Sequence, residues 1–120
     1  LLKKAVNLHG HLGPFLVLGL KMSLIAEERL GGKPRKCLVK TVKRKPYLCA
    51  VDGVKAALGE LPIEVLDGEG LTMEFTGVDG EKTEIKVKKK IVEKCAQVPW
   101  EKCEEYAYEV LKSNDSKLFE

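Results

Sequence analysis

The sequence predicts a single α+β domain that spans residues 1–120. Its 120 residues are enough for one hydrophobic core and too few for two. Apolar residues make up 44% of the chain, which excludes a disordered protein. Apolar positions recur at helical spacing near both ends and alternate with polar ones in between. The expected order is helix, strand, helix, a run of strands and a last helix, which is an α+β layer and not a βαβ repeat.

The first element is a helix from about Pro14 to Leu30. Proline at the first helical position has no amide hydrogen to leave unpaired, and Gly31 with Gly32 supplies a left-handed stop. The first half of this helix is apolar almost all round, so it must be buried on most sides. In so small a domain a second copy of the chain is one way to bury it, and we therefore expect a homodimer.

The middle of the chain predicts a strand, a second helix and a short extended piece. Residues 37–44 alternate loosely with β-branched side chains and indicate the strand. Pro46 opens a helix over about Tyr47 to Leu58, and Gly59 closes it. The extended piece covers about Ile63 to Leu66.

The next two segments predict a β-hairpin. A two-residue turn would set Phe75 opposite a glutamate, on the wrong face of the sheet. A three-residue loop over 78–80 instead pairs Phe75 with Thr83 and Met73 with Ile85. Gly80 then takes the left-handed bulge position.

A last helix is expected over about Pro99 to Lys112. Its core face is predicted to carry Trp100, Cys103, Tyr106, Ala107 and Val110. The lone Trp100 is interpreted as an anchor for this helix, and the tail from Ser113 is expected to be frayed.

Charge and composition limit the classes of partner that the chain could bind. The net charge is +3, with seven basic residues over 33–45 and six lysines over 82–94. Without interleaved aromatic residues, these blocks indicate solvated strand faces and not a nucleic-acid site. No apolar run approaches the ~18 residues of a membrane span, and no signal peptide is visible, so we expect a cytoplasmic protein. Many Lys and Glu with a single Gln are weakly typical of thermophiles.

The four cysteines, Cys37, Cys49, Cys95 and Cys103, form no Cys-x-x-Cys pair. A zinc ribbon and a thioredoxin-like motif are therefore not supported. We expect reduced thiols that are mostly buried as small apolar residues, with Cys95 and Cys103 in the core around the last helix.

Three features could carry chemistry. The weakest is the start of the first helix at Gly13-Pro14-Phe15, whose unpaired amides could hold an anion, as at every helix start. His9 and His11, the only histidines, flank Gly10 and can point to the same side of an extended segment. Histidine is a common ligand of zinc, nickel or iron, although either ring could instead cap the helix or fill a polar pocket. Cys49 lies in the first turn of the second helix, where the helix dipole favours a thiolate. Asp52 shares its face and could orient a ligand, yet ordinary dipole matching also explains it.

Together these residues form a known pattern. His9-Gly10-His11-Leu12-Gly13-Pro14 resembles a His-Gly-His-x-Cys-Pro-Gly opening, and residues 49–54 resemble a Cys-x-x-Asp-x-x-Gln helix. Over residues 5–90 the chain resembles the FmdE family of formylmethanofuran dehydrogenase proteins. The resemblance implies a helix-strand-helix-three-strand core with a mixed or antiparallel sheet. It also implies a cleft between the histidine loop and the cysteine-bearing helix. Members of the family are associated with a molybdenum or tungsten enzyme that acts on carbon dioxide in methanogenesis.

The resemblance implies His9, His11 and Cys49 as metal ligands, with Asp52 behind them. A divalent transition metal, zinc first, and components of an oxidoreductase complex are the implied cofactor and partners. Gly13 stands where the family has a cysteine, and the cysteine-rich zinc finger of some members is absent. Lys55 replaces a glutamine. Its charge would repel a cation, and could instead lower the pKa of the Cys49 thiol or bind an anionic group. The alternative is a metal-free accessory or interaction domain with a degenerate site. No reaction follows from the sequence.

Overall fold

A computed structural model describes residues 12–120. In chain order the elements are α1 (Pro14–Leu30), β1 (Lys36–Thr41), α2 (Cys49–Leu58), β2 (Ile63–Asp67), β3 (Leu71–Thr76), β4 (Lys82–Lys86), α3 (Lys89–Gln97), a 3₁₀ turn (Trp100–Lys102), α4 (Cys103–Lys112) and α5 (Asp115–Leu118). The predicted α+β fold is confirmed, including the helix-strand-helix-strands order and the C-terminal helix.

The four strands form one mixed sheet in the order β2-β1-β3-β4. Strand β1 runs parallel to β2, to which α2 connects it, and antiparallel to β3. Alternate residues of β3 are buried, because one face of the sheet packs on the helices and the other faces solvent. Leu71, Met73 and Phe75 on the buried face join one continuous hydrophobic core with α1.

The hairpin has the predicted register. Phe75 pairs with Thr83 and Met73 with Ile85. Gly80, the last residue of the expected three-residue loop, has a φ of 84°, which is the left-handed conformation expected there. The period-two pattern therefore decided between the two turn lengths correctly.

Helices α1 and α2 cross with their backbones in contact. A Cβ added at Gly19 would fall on the carbonyl oxygen of Ala50, and one added at Gly53 would fall on the carbonyl oxygen of Leu16. The first half of α1 is fully buried within one copy of the chain. An apolar α1 thus needs no second copy to cover it, and the homodimer stays a prediction.

Three expectations for the C-terminal third were wrong. The lysine block over 82–94 was expected to lie on strands, which holds only for β4, because its second half begins helix α3. This helix buries Ile91, Val92 and Cys95 on one side. The tail is not frayed, because Leu118 and Phe119 are buried and Phe119 bridges to Val87 beside β4. Trp100 is not a buried anchor, since 72% of its surface is exposed. Elsewhere β1 ends at Thr41 rather than Arg44, and α2 begins at Cys49 rather than Tyr47.

Lys21 ties α1 to the end of α4. Its Nζ donates to the carbonyl oxygens of Val110, Leu111 and Ser113 at 3.3, 3.1 and 2.7 Å, and it lies 4.0 Å from Oδ1 of Asp115. A cation at a helix C-terminus also opposes the negative end of the helix dipole. Burial lowers the pKa of Lys21, and the Asp115 carboxylate partly opposes that shift.

Replacing Lys21 by methionine is expected to lower the free energy of unfolding by about 1 to 3 kcal/mol, because the last carbonyls of α4 lose their donor. Urea denaturation, compared with the exposed Lys90→Met variant, checks this. Equal midpoints for the two variants would show that the Lys21 contacts contribute nothing.

Candidate functional site

A pocket of about 150 Å³ opens beside Cys49. One wall is the start of α1, from Gly13 to Phe15. A second wall comes from Lys45, Pro46 and Cys49. The C-terminal part closes the third side with Cys95, Ala96, Val98, Trp100 and Cys103. The pocket thus lies where the starts of α1 and α2 meet the turn between α3 and α4.

Backbone and ring contacts hold the first two walls together. The close crossing at Gly19 and Gly53 fixes α2 against α1. Near the pocket, the rings of Phe15 and Tyr47 pack with centroids 5.1 Å apart and planes at 48°. The guanidinium of Arg44 lies 5.9 Å from the centre of the Tyr47 ring. Because these contacts flank the pocket, its shape depends on how α1 and α2 pack.

Cys49 is the first residue of α2 and only 8% of its surface is exposed. Burial raises the pKa of its thiol, the charges of Asp52 and Cys103 raise it further, and Lys45 opposes the shift. The sequence favoured a thiolate here, and that expectation was wrong for the metal-free chain. The amides at the helix start are already paired, since Cys49 N–H donates to Pro46 and Ala50 N–H to Tyr47, both at 3.1 Å. They are therefore not available to stabilise a thiolate.

The other predicted site residues lie at different distances from this pocket. Gly13 lines it, and Asp52 is half-buried and close enough to Cys49 to influence its thiol. Lys55 is exposed and does not line it, so the cation acting on Cys49 is Lys45. His9 and His11 lie outside the described residues.

The sequence placed Cys95 and Cys103 in the core and missed that both line the pocket. Cys95 is buried, and its pKa is raised to about 12 by burial. Cys103 is half-buried at the start of α4, and its thiol contacts the carbonyl oxygen of Val98 at 4.0 Å. Their separation of eight residues gave no signal, because the turn between α3 and α4 brings them together.

The donor chemistry of the pocket suits a soft or borderline metal, because three thiols line it. Among residues 12–120, however, no three His, Cys, Asp or Glu side chains are arranged to hold a metal ion. A larger pocket of about 440 Å³, between Lys36 and Lys82 at the sheet, contains none of the predicted site residues.

A sequence model of the FmdE family, described as molybdenum formylmethanofuran dehydrogenase operon, matches residues 8–120. The chain belongs to the FmdE family. The match extends beyond the resemblance over residues 5–90 and includes the C-terminal wall of the pocket. Membership supports an association with the formylmethanofuran dehydrogenase operon. A comparison with curated proteins finds no match. In the part of this FmdE chain that the structure describes, no helix combines the length and apolar character of a membrane span.

The raised pKa of Cys49 predicts slow alkylation in the metal-free FmdE chain. At pH 7 its reaction with iodoacetamide should be slower than that of the same cysteine in urea, because only the thiolate reacts. The rate should still rise about tenfold per pH unit near pH 8, since the folded pKa lies above its ordinary value. Timed alkylation with peptide mass spectrometry measures this for each cysteine. A rate that levels off below pH 8 would show a low-pKa thiol instead.

Proposed function

We propose that this FmdE-family chain binds a divalent transition metal at the Cys49 pocket, with His9, His11 and Cys49 as ligands. Zinc suits this donor set best, because imidazole nitrogen and thiolate sulfur are its usual ligands in proteins. The proposed role is metal or small-cofactor binding in formylmethanofuran dehydrogenase-type metabolism, alongside the other components of that oxidoreductase complex. The family match supports the association with that operon.

One observation carries the proposal: Gly13 and Cys49 line the same pocket. Gly13 is only two residues from His11 along the chain. Because consecutive Cα atoms are about 3.8 Å apart, the Cα of His11 must lie within about 8 Å of that of Gly13. The proposal therefore assigns the His11 imidazole to a metal at the Cys49 thiol.

Two neighbouring charges would tune such a site. The Asp52 carboxylate, three residues after Cys49, would hold a ligand in place and add negative charge near the cation. The positive charge of Lys45, which lines the pocket, would repel the metal cation. The same charge could bind an anionic group of a ligand. Lys55 is exposed, and the proposal gives it no direct role at the metal.

A metal-free accessory domain is the second candidate. It is favoured by the lack of any three-residue metal cluster within residues 12–120. Under that candidate the pocket is a small apolar cavity, and the chain acts by binding a partner protein. The two candidates differ in whether the purified chain holds metal.

Elemental analysis of protein purified without a histidine tag tests the proposal. We expect close to one zinc, nickel or iron per chain, and its loss in both His11→Ala and Cys49→Ser. Cys37→Ala is the matched control, because Cys37 is a buried thiol on β1 that does not line this pocket. Metal absent from the wild type even after reconstitution, or retained in Cys49→Ser, would contradict the proposal and favour the accessory domain.

A further inference from the structure

Two neighbouring cavities lie at the end of the sheet where the chain turns from β3 into β4. The larger, of about 440 Å³, is lined by residues from all four strands. The smaller, of about 330 Å³, lies against the hairpin loop between residues 77 and 80. Lys36, Pro62 and Thr76 line both cavities, so the two share a wall, and neither shares a residue with the pocket beside Cys49. Both volumes are within the range of about 300 to 1,000 Å³ that is usual for small-molecule sites.

The strand register places a threonine between two lysines at this end of the sheet. Lys36 on β1 pairs with Thr76 on β3, which in turn pairs with Lys82 on β4. Side chains that lie directly opposite each other point to the same face, and both lysines are exposed, so this is the solvent-facing side. Neighbouring strands are about 4.8 Å apart, so the backbones of the two lysines lie about 10 Å apart across the threonine. Two ammonium groups and one hydroxyl therefore project beside the larger cavity.

The charges around the two cavities are unevenly distributed. Glu64 and Glu74 line the larger cavity, and Oε1 of Glu74 lies 3.8 Å from Nζ of Lys82. The smaller cavity is lined by Arg35 and Lys36 and by no acidic residue. Neither of these two cations forms an ion pair with any of the described residues. Uncompensated cations attract an anion, and a guanidinium and an ammonium group beside a hydroxyl are donors that suit phosphate oxygens.

We propose that this end of the sheet binds the phosphate monoester of a small hydroxylated molecule. The phosphate lies in the smaller cavity, where the Arg35 guanidinium, the Lys36 ammonium group and the Thr76 hydroxyl donate hydrogen bonds to it. The hydroxylated body extends into the larger cavity, where the Glu64 carboxylate accepts hydrogen bonds from its hydroxyl groups. The carboxylate of Glu81 accepts an amide hydrogen of its own loop and lines neither cavity. This inference does not rest on the proposed metal site.

Isothermal titration calorimetry of the purified chain in a phosphate-free buffer tests the site, with inorganic phosphate, glucose 6-phosphate and glucose as probes. We expect glucose 6-phosphate to bind more tightly than phosphate, because it fills both cavities, and glucose alone not to bind. Arg35→Gln and Lys36→Gln should each weaken the binding of both phosphates about tenfold or more, the usual effect of losing a hydrogen bond to a charged group. Lys40→Gln is the matched control, because Lys40 lies on the same side of β1, opposite Thr72, and lines neither cavity. It loses the same charge and should keep the affinity of the wild type.

Four results would overturn the inference. Phosphate and glucose 6-phosphate that fail to bind at millimolar concentration and low salt would show that there is no phosphate site. An equal loss of affinity in Lys40→Gln would show that only the net charge attracts the anion. Succinate that binds as tightly as glucose 6-phosphate would show a general anion site. Loss of binding in Cys49→Ser would place the anion in the other pocket, whereas unchanged binding in this variant supports the inference whether or not the chain holds metal. Circular dichroism of each variant checks that the fold is unchanged.

Discussion

Replacing Gly53 by alanine is expected to lower the free energy of unfolding by about 3 kcal/mol or more. The added Cβ would fall on the backbone carbonyl of Leu16 and within 2.7 Å of the amide nitrogen of Leu20. Backbone atoms cannot rotate away as a side chain would, so the two helices must separate. In an exposed helix the same change would stabilise by up to about 1 kcal/mol, because alanine is the better helix former. The sign of the effect therefore reports on the crossing of α1 and α2.

Urea denaturation of Gly53→Ala and Gly19→Ala measures the effect, and Gly32→Ala is the control. A Cβ at Gly32 would meet nothing within 4 Å, so its midpoint should be close to that of the wild type. Both helix variants should also bind metal more weakly, because the crossing sets the distance between Gly13 and Cys49. Midpoints unchanged in both helix variants would contradict the close crossing.

The chain is also expected to lose stability steeply above pH 9. Burial raises the pKa values of Cys37 and Cys95 to about 12 in the folded chain, from 9.0 in the ordinary thiol. Between these values the unfolded chain releases both protons while the folded chain keeps them, so rising pH favours unfolding. The contribution of each thiol is fully present below pH 9 and is lost as pH rises toward 12. Each group removes up to about 1.4 kcal/mol per pH unit over that window.

Urea denaturation at pH 8, 9, 10 and 11 under reducing conditions measures this loss. Cys37→Ala should be less stable at pH 8, because it leaves a cavity, yet its stability should fall less steeply with pH. Buried Tyr106, whose pKa is raised to about 12 chiefly by burial, is expected to act in the same direction. A stability that is flat from pH 8 to 11 would show that these groups ionise within the folded chain.

The sequence predicted the elements whose pattern is strong and local. Proline and glycine marked the ends of α1, and strict alternation gave the hairpin register through Phe75 and Met73. Helix α3 was missed because its few apolar residues are interrupted by lysines, so the sequence shows only a short helical pattern. The tail was missed because Leu118 and Phe119 are held by contacts with β4 and its neighbours, which no local pattern reveals.

The candidate site was predicted only in part for the same reason. Cys49 and Gly13 belong to motifs that can be recognised along the chain, and the structure places both at one pocket. Cys103 and Lys45 belong to no motif. Cys103 lines the pocket only because α4 packs beside it, and Lys45 because the segment before α2 passes it. The expected thiolate at Cys49 failed because burial and the turn at 46–48 outweigh the helix dipole.

X-ray absorption at the zinc edge of the reconstituted chain tests the central claim most directly, because it counts the sulfur and nitrogen ligands around the ion. We predict one sulfur at about 2.3 Å, from Cys49, and two nitrogens at about 2.0 to 2.1 Å, from His9 and His11. A shell of oxygen and nitrogen with no sulfur, or no bound zinc, would contradict a metal site at this pocket.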